Sequence, residues 1–162
     1  EKTAGLWAGV FGFMNIFARA VGGILADRVG SRYGMRGKGL LLAGLLLLEG
    51  VGIGLFAASG NLTLAIVSML SFAMFLKMAN GTTYAIVPFV NKKAVGVVSG
   101  VVGAGGNVGG MLMGFLFKSQ SISYAEAFLY IGGVVAVIGL ALALVNFEKE
   151  SVAEPVLEVQ AA

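Results

Sequence analysis

Five apolar stretches, each long enough to cross a lipid bilayer, take up most of this chain: about residues 5–26, 39–58, 62–90, 94–117 and 124–147. Spanning roughly 30 Å of hydrocarbon takes about 20 helical residues. Charged residues are only 12% of the chain, against about 25% in soluble domains. Mean hydropathy is +0.94. These values predict an all-α integral membrane protein with short polar connections between its spans. The third stretch is long and carries Asn80-Gly81 and Pro88, where a bend or a loosened turn is expected.

Composition also excludes chemistry. There is no cysteine and no histidine, which removes disulfides, thiol nucleophiles, Cys/His zinc sites and a histidine proton relay. No pair of catalytic groups is present, so an enzyme is not expected, nor are a cofactor and a metal. The net charge of +3 lies mostly in connections without interleaved aromatics, which argues against nucleic acid. The first apolar run has Lys2 offset by Glu1 and no clear small-residue cleavage site, so it does not read as a signal peptide. The chain begins at Glu1 without a Met and reads as a segment of a longer protein.

The basic residues orient the spans. Arg28, Arg32, Arg36 and Lys38 follow the first, and Lys92 and Lys93 follow the third; the other two connections are nearly uncharged. By the positive-inside rule the basic connections are cytoplasmic, with the N-terminus of the chain outside and its C-terminus inside. The expected location is the cell membrane. Residues 148–162 are acidic, contain Pro155 and lack apolar periodicity, as expected of a disordered cytoplasmic tail. Asn61 heads the third stretch as a helix cap rather than a glycosylation acceptor.

Between Gly96 and Gly114 the chain holds eight glycines, no charge and a single amide, Asn107. At about 100° per residue Gly96, Gly100, Gly103, Asn107, Gly110 and Gly114 fall on one stripe, Gly106 flanks it, and Gly105 and Gly109 lie opposite. Such a density would be costly in a soluble helix, at about 1 kcal/mol for each glycine relative to alanine. In lipid it allows backbones to approach closely. The stripe reads either as a packing face or as bare backbone and one amide lining a path.

Three ionisable side chains, Arg19, Glu49 and Lys77, lie deep inside spans, where a charge costs about 3 kcal/mol on insertion scales. Arg19 shares a face with Ala8, Gly12, Asn15, Gly23 and Ala26, which describes a small-residue wall bearing a cation. Its planar five-donor fork suits an oxyanion; the alternative is an ion pair with Glu49 or with an acid outside this chain. Lys77 shares a face with Ala73, Gly81, Tyr84 and Pro88, and reads as an anion neighbour with Tyr84, as a snorkelling side chain, or as a partner of Glu49. Glu49 is the only deeply placed carboxylate; pairing with Lys77 or a polar neighbour is the first reading, a proton-coupling site the second.

The first basic connection, with Gly23-x-Leu25-x-Asp27-Arg28-x-Gly30-x-Arg32, resembles the loop signature of the major facilitator superfamily. Its glycines permit a tight turn, and Asp27 can face a neighbouring helix N-terminus as a latch. That signature occurs after the second and eighth helices of the superfamily; with one span before it and four after, the resemblance implies helices eight to twelve. Gly103-Ala104-Gly105-Gly106-Asn107-Val108-Gly109-Gly110 closely resembles the nitrate signature of the nitrate/nitrite porter family, and Ile86-Val87-Pro88-Phe89-Val90 and Val98-Ser99-Gly100 also look like that family.

The resemblance, which runs over most of residues 11–117 and is weak in the second and last spans, implies a major facilitator fold. This chain would be a partial C-terminal bundle of five transmembrane helices, its N-terminal half lying elsewhere, with substrate at the midplane. It implies nitrate or nitrite as the anion, Arg19 as the C-terminal-half arginine with Asn15 beside it, and Asn107, Gly103, Gly106 and Gly110 along the path. Lys77 and Tyr84 are cavity candidates. Protons are a candidate coupling ion, with Glu49 the weaker reading for their site, because the resemblance places it in the ninth helix, which is peripheral in this fold. Two alternatives stay open: transport of another small anion, and a non-transporting membrane subunit that packs through its glycine face.

Overall fold

A computed structural model describes residues 2–118, 121–145 and 147; the tail reading at 148–162 falls outside them. Four helices follow one another, α1 (Lys2–Ala57), α2 (Leu62–Val90), α3 (Val95–Lys118) and α4 (Tyr124–Leu144), with no strand among the described residues. All four are long and apolar enough to cross a membrane. The chain is that of a multi-pass membrane protein.

The first two predicted spans and the basic connection between them are a single assigned helix. It is broken at Gly34, whose φ of 63° and ψ of −156° are not helical. An L side chain is strongly disfavoured in that region, and glycine is not. As a straight rod 56 residues would reach roughly 84 Å at 1.5 Å per residue. Instead the two arms, 2–33 and 35–57, fold back on each other. Gly22 packs at Met78 and Thr82 of α2, Lys38 reaches Ala85, and Gly52 lies back at Phe72.

Backbone contact, rather than side-chain bulk, holds α1 to its neighbours. A Cβ on Gly22 would collide with the backbone of Met78, and one on Gly81 with the carbonyl of Arg19. A Cβ on Gly50 would lie 2.7 Å from the Gly132 carbonyl oxygen, and one on Gly139 would lie 3.1 Å from that of Ala43, so the second arm is seated equally closely on α4. Lipid tails supply no hydrophobic drive between spans, and close van der Waals approach takes over that role. Thr82, fully buried, adds a hydrogen bond from its hydroxyl to the Gly22 carbonyl at 3.2 Å.

Asn61 caps α2 as expected, its side chain accepting from the Leu64 amide at 2.8 Å. Ser123 and Glu126 form a reciprocal capping box at the start of α4. α2 runs through Asn80-Gly81 and Pro88 as one helix, so the loosened turn expected there does not break it. Pro88 stands two residues before Val90 closes the helix, where its missing N–H deprives only the Tyr84 carbonyl of its donor. Gly81 is there for the approach to Arg19 instead.

At the end of the bundle away from Gly34 an aromatic cluster joins the helices. Phe56 packs edge-on to Phe72 and Phe128 at 5.7 and 5.0 Å, and Phe117 meets Phe128 and Tyr124. α3 is otherwise loosely attached and buries none of its residues in this chain.

Candidate anion site at the seam of three helices

The expected site residues separate into those the fold brings together and those it does not. Arg19 of the first arm and Tyr84 of α2 meet directly: the guanidinium carbon stands 4.6 Å from the centre of the tyrosine ring. The close approach of Gly81 to the Arg19 carbonyl sets the spacing that allows it. Gly103 of α3 completes the group, since a Cβ there would lie 3.6 Å from the Tyr84 Oη. One cation, one hydroxyl and one bare stretch of helix backbone therefore share a place in the middle of the apolar spans.

Arg19 pairs with no carboxylate among the described residues. The only ion pair among the described residues is Lys38–Asp27, so neither pairing considered for Glu49, with Arg19 or with Lys77, is formed. The ring below Arg19 takes one face of the guanidinium, a contact worth roughly 0.5–2 kcal/mol, and leaves its N–H edge free to donate. Three or more planar donors beside a phenol hydroxyl can hold a small planar anion in two-point fashion.

Asn107 is exposed on α3, one turn beyond Gly103 on the same stripe. That places the Asn107 stripe, rather than the Gly105 and Gly109 side, toward Tyr84. Gly106 and Gly110 meet no described atom. Lys77 is half-buried, one turn before Gly81, and makes no hydrogen bond or ion pair among the described residues. The side chains of Asn15 and Ala8 lie outside the described ones. Glu49 is buried with its Oε2 unpartnered, away from this site.

The loop-signature residues occupy the basic end. Asp27 does not meet backbone amides of a neighbouring helix. It accepts from the ammonium of Lys38 at 2.8 Å, in the first turns of the second arm. Lys38 is 7% exposed, against 71% for Asp27; it also donates to the Ala85 carbonyl at 3.1 Å and sits 4.5 Å over the Phe89 ring. A residue read as an orienting loop charge is thus the clasp of three helix ends. The signal lay in the motif itself: a buried ammonium needs a carboxylate within reach, and Asp27 was the one at that end. Gly30 leaves room for the Lys38 stem, Gly23 lies in ordinary contact with Gly81, and Arg28 and Arg32 are exposed. An open groove of about 600 Å³ lined by Val29, Tyr33, Arg36, Gly37, Leu40 and Leu41 is also at this end, not at Arg19.

The chain is similar to High affinity nitrate transporter 2.5 of Arabidopsis thaliana, 39% identical over 152 residues, which cover 91% of this chain and 30% of that protein. Nitrate transporter 2.1 of Chlamydomonas reinhardtii is 39% identical over 88% of this chain and 27% of its own length. The chain belongs to the nitrate/nitrite porter family of the major facilitator superfamily. It spans about 30% of the length of the curated relatives it matches. Elsinochrome transporter 1 of Elsinoe fawcettii, 37% identical over 88% of this chain and 28% of its own, carries a different substrate in its name. No protein-family model and no solved structure matches the chain. The fold places Arg19, Tyr84 and Gly103 on three separate helical segments, the first arm of α1, α2 and α3.

Proposed function

We propose that the protein containing this chain carries nitrate or nitrite across the cell membrane by alternating access, with Arg19 as the cation that holds the anion. One observation carries this reading: a guanidinium inside an apolar span, seated on Tyr84 and without a carboxylate partner among the described residues. The names of the relatives support the same substrate class. Nitrate is weakly basic and poorly hydrated, so a site with few donors and a neutral wall costs it less to enter than it costs phosphate or sulfate. Asn107 and the glycines of its stripe line the way to Arg19, and Asn15 and Lys77 flank it.

In this reading the rest of the transporter supplies a second cation, the lipid bilayer is the solvent, and the chain contributes five spans followed by a cytoplasmic tail. The basic end, with Arg28, Arg32 and Lys92, faces the cytoplasm. Arg19→Lys in the full-length protein tests the site. Lysine keeps the charge but lacks the planar fork, so the apparent affinity for nitrate uptake should fall about tenfold or more. An unchanged affinity would sink the assignment.

The relative named for elsinochrome favours a second reading, transport of another compound through the same fold. Competition decides between them. Nitrite and chlorate should displace labelled nitrate, and failure of both would favour the second reading.

A further inference from the structure

Glu49 is 4% exposed, and its Oε2 has no hydrogen-bond partner among the described residues. Its glycine neighbours fix where it points. A Cβ on Gly50 would lie 2.7 Å from the Gly132 carbonyl oxygen and 2.9 Å from the Ala136 amide nitrogen, so α4 backbone runs along that side. A Cβ on Gly52 would lie 2.8 Å from the Phe72 Cβ, so α2 runs along the other. At about 100° per residue Glu49 is directed between the two, into the seam where the second arm, α2 and α4 meet. Leu45 and Ile53, one turn to either side, are buried with it.

No cation faces the carboxyl from these elements. On α2, Lys77 is five residues past Phe72 and hence about 140° round the helix; it lies within about 40° of Gly81, which faces Arg19 of the first arm. On the described part of α4 the charged residue is Glu126, exposed and held in the capping box of the first turn. Lys38 is bonded to Asp27, and Arg19 lies over Tyr84. Among hydroxyls of α2, buried Ser68 already donates to the Leu64 and Ala65 carbonyls. An ionised carboxylate in this seam would give up its hydration with nothing in exchange, whereas the neutral acid leaves one polar group unmatched.

We propose that Glu49 is a proton-binding site: it carries a proton while the second arm, α2 and α4 are packed as seen, and releases it when that seam opens to water. The carboxyl O–H bond breaks, the proton passes to water or buffer on the side that opens, and a hydrated carboxylate remains. Protonation thereby favours the closed seam, and a rearrangement that parts these helices moves a proton. The link to anion transport rests on the function proposed above; the protonation of Glu49 in this packing does not.

Infrared spectra of the full-length transporter in lipid, compared with those of Glu49→Gln, test the site directly. The wild type should show a carboxylic-acid C=O stretch at neutral pH that shifts in heavy water and is lost in the variant; an ionised carboxylate at Glu49 would overturn the proposal. Where Gln fails to give a monodisperse protein, Glu49→Asp serves, and the band should move rather than vanish. In proteoliposomes, proton entry per nitrate taken up should fall to background in Glu49→Gln. Wild-type proton entry in the variant overturns the coupling. If the wild type itself moves no nitrate, the transport reading has failed, and the infrared result still decides the proton site.

Discussion

Two populations of glycine in this chain do opposite things. In α1, α2 and α4 one set of glycines is where backbones touch: Gly22 at Met78, Gly81 at Arg19, Gly50 at Gly132, Gly139 at Ala43. In α3, which has the highest density, seven of the eight glycines meet no described atom within 4 Å, and Gly103 alone approaches a described neighbour, the Tyr84 hydroxyl. The first set has used its smallness to make a scaffold. The second holds a featureless surface that no described helix covers. Glycine content alone does not distinguish a packed span from one that waits for a partner; the neighbour's backbone does.

The contrast can be broken experimentally, most severely at Gly81. Gly81→Leu drives a side chain into the Arg19 carbonyl, a backbone atom that cannot step aside, and should cost about 3 kcal/mol or more. The yield of monodisperse protein in detergent should collapse. Gly50→Ala forces a smaller shift against Gly132 and should cost about 1–3 kcal/mol, read as a lower melting temperature. Lys38→Met keeps the apolar stem but removes donors to Asp27 and Ala85. With Asp27 largely exposed the loss should be about 1 kcal/mol, smaller at high salt than at low. Smallest of all, Gly105→Ala in this chain as it stands should change stability by less than about 1 kcal/mol, and in the stabilising direction. A larger melting loss at Gly105 than at Gly50 would invert the comparison. The same Gly105→Ala in the full transporter sharpens it, since lost nitrate uptake there would mean that the face is covered by helices outside this chain.

Much of the fold was legible in the residues because lipid leaves few choices. Apolar length gave the helices, Asn61 gave a cap, and the wheel of Arg19 and of Tyr84 named two side chains that do meet. Periodicity reports which residues share a face, and it is silent on what covers that face. Hence Asn80-Gly81 read as a weak point in α2 although it is a site of close approach, and Glu49 read as a partner of Lys77 although the two lie on differently directed faces. Lys38 was misread for a related reason. Its sequence position among Arg28, Arg32 and Arg36 marks a basic connection, and only the return of the chain at Gly34 turns it inward to Asp27.

Connections between spans ordinarily contain several residues that can absorb a rotation, whereas here helix continues on both sides of Gly34 and a single pair of dihedrals reverses the direction. The two arms are thus one bent element, with its elbow at the basic end, where Lys38 meets Asp27, and with Arg19 and the buried Glu49 on its separate limbs.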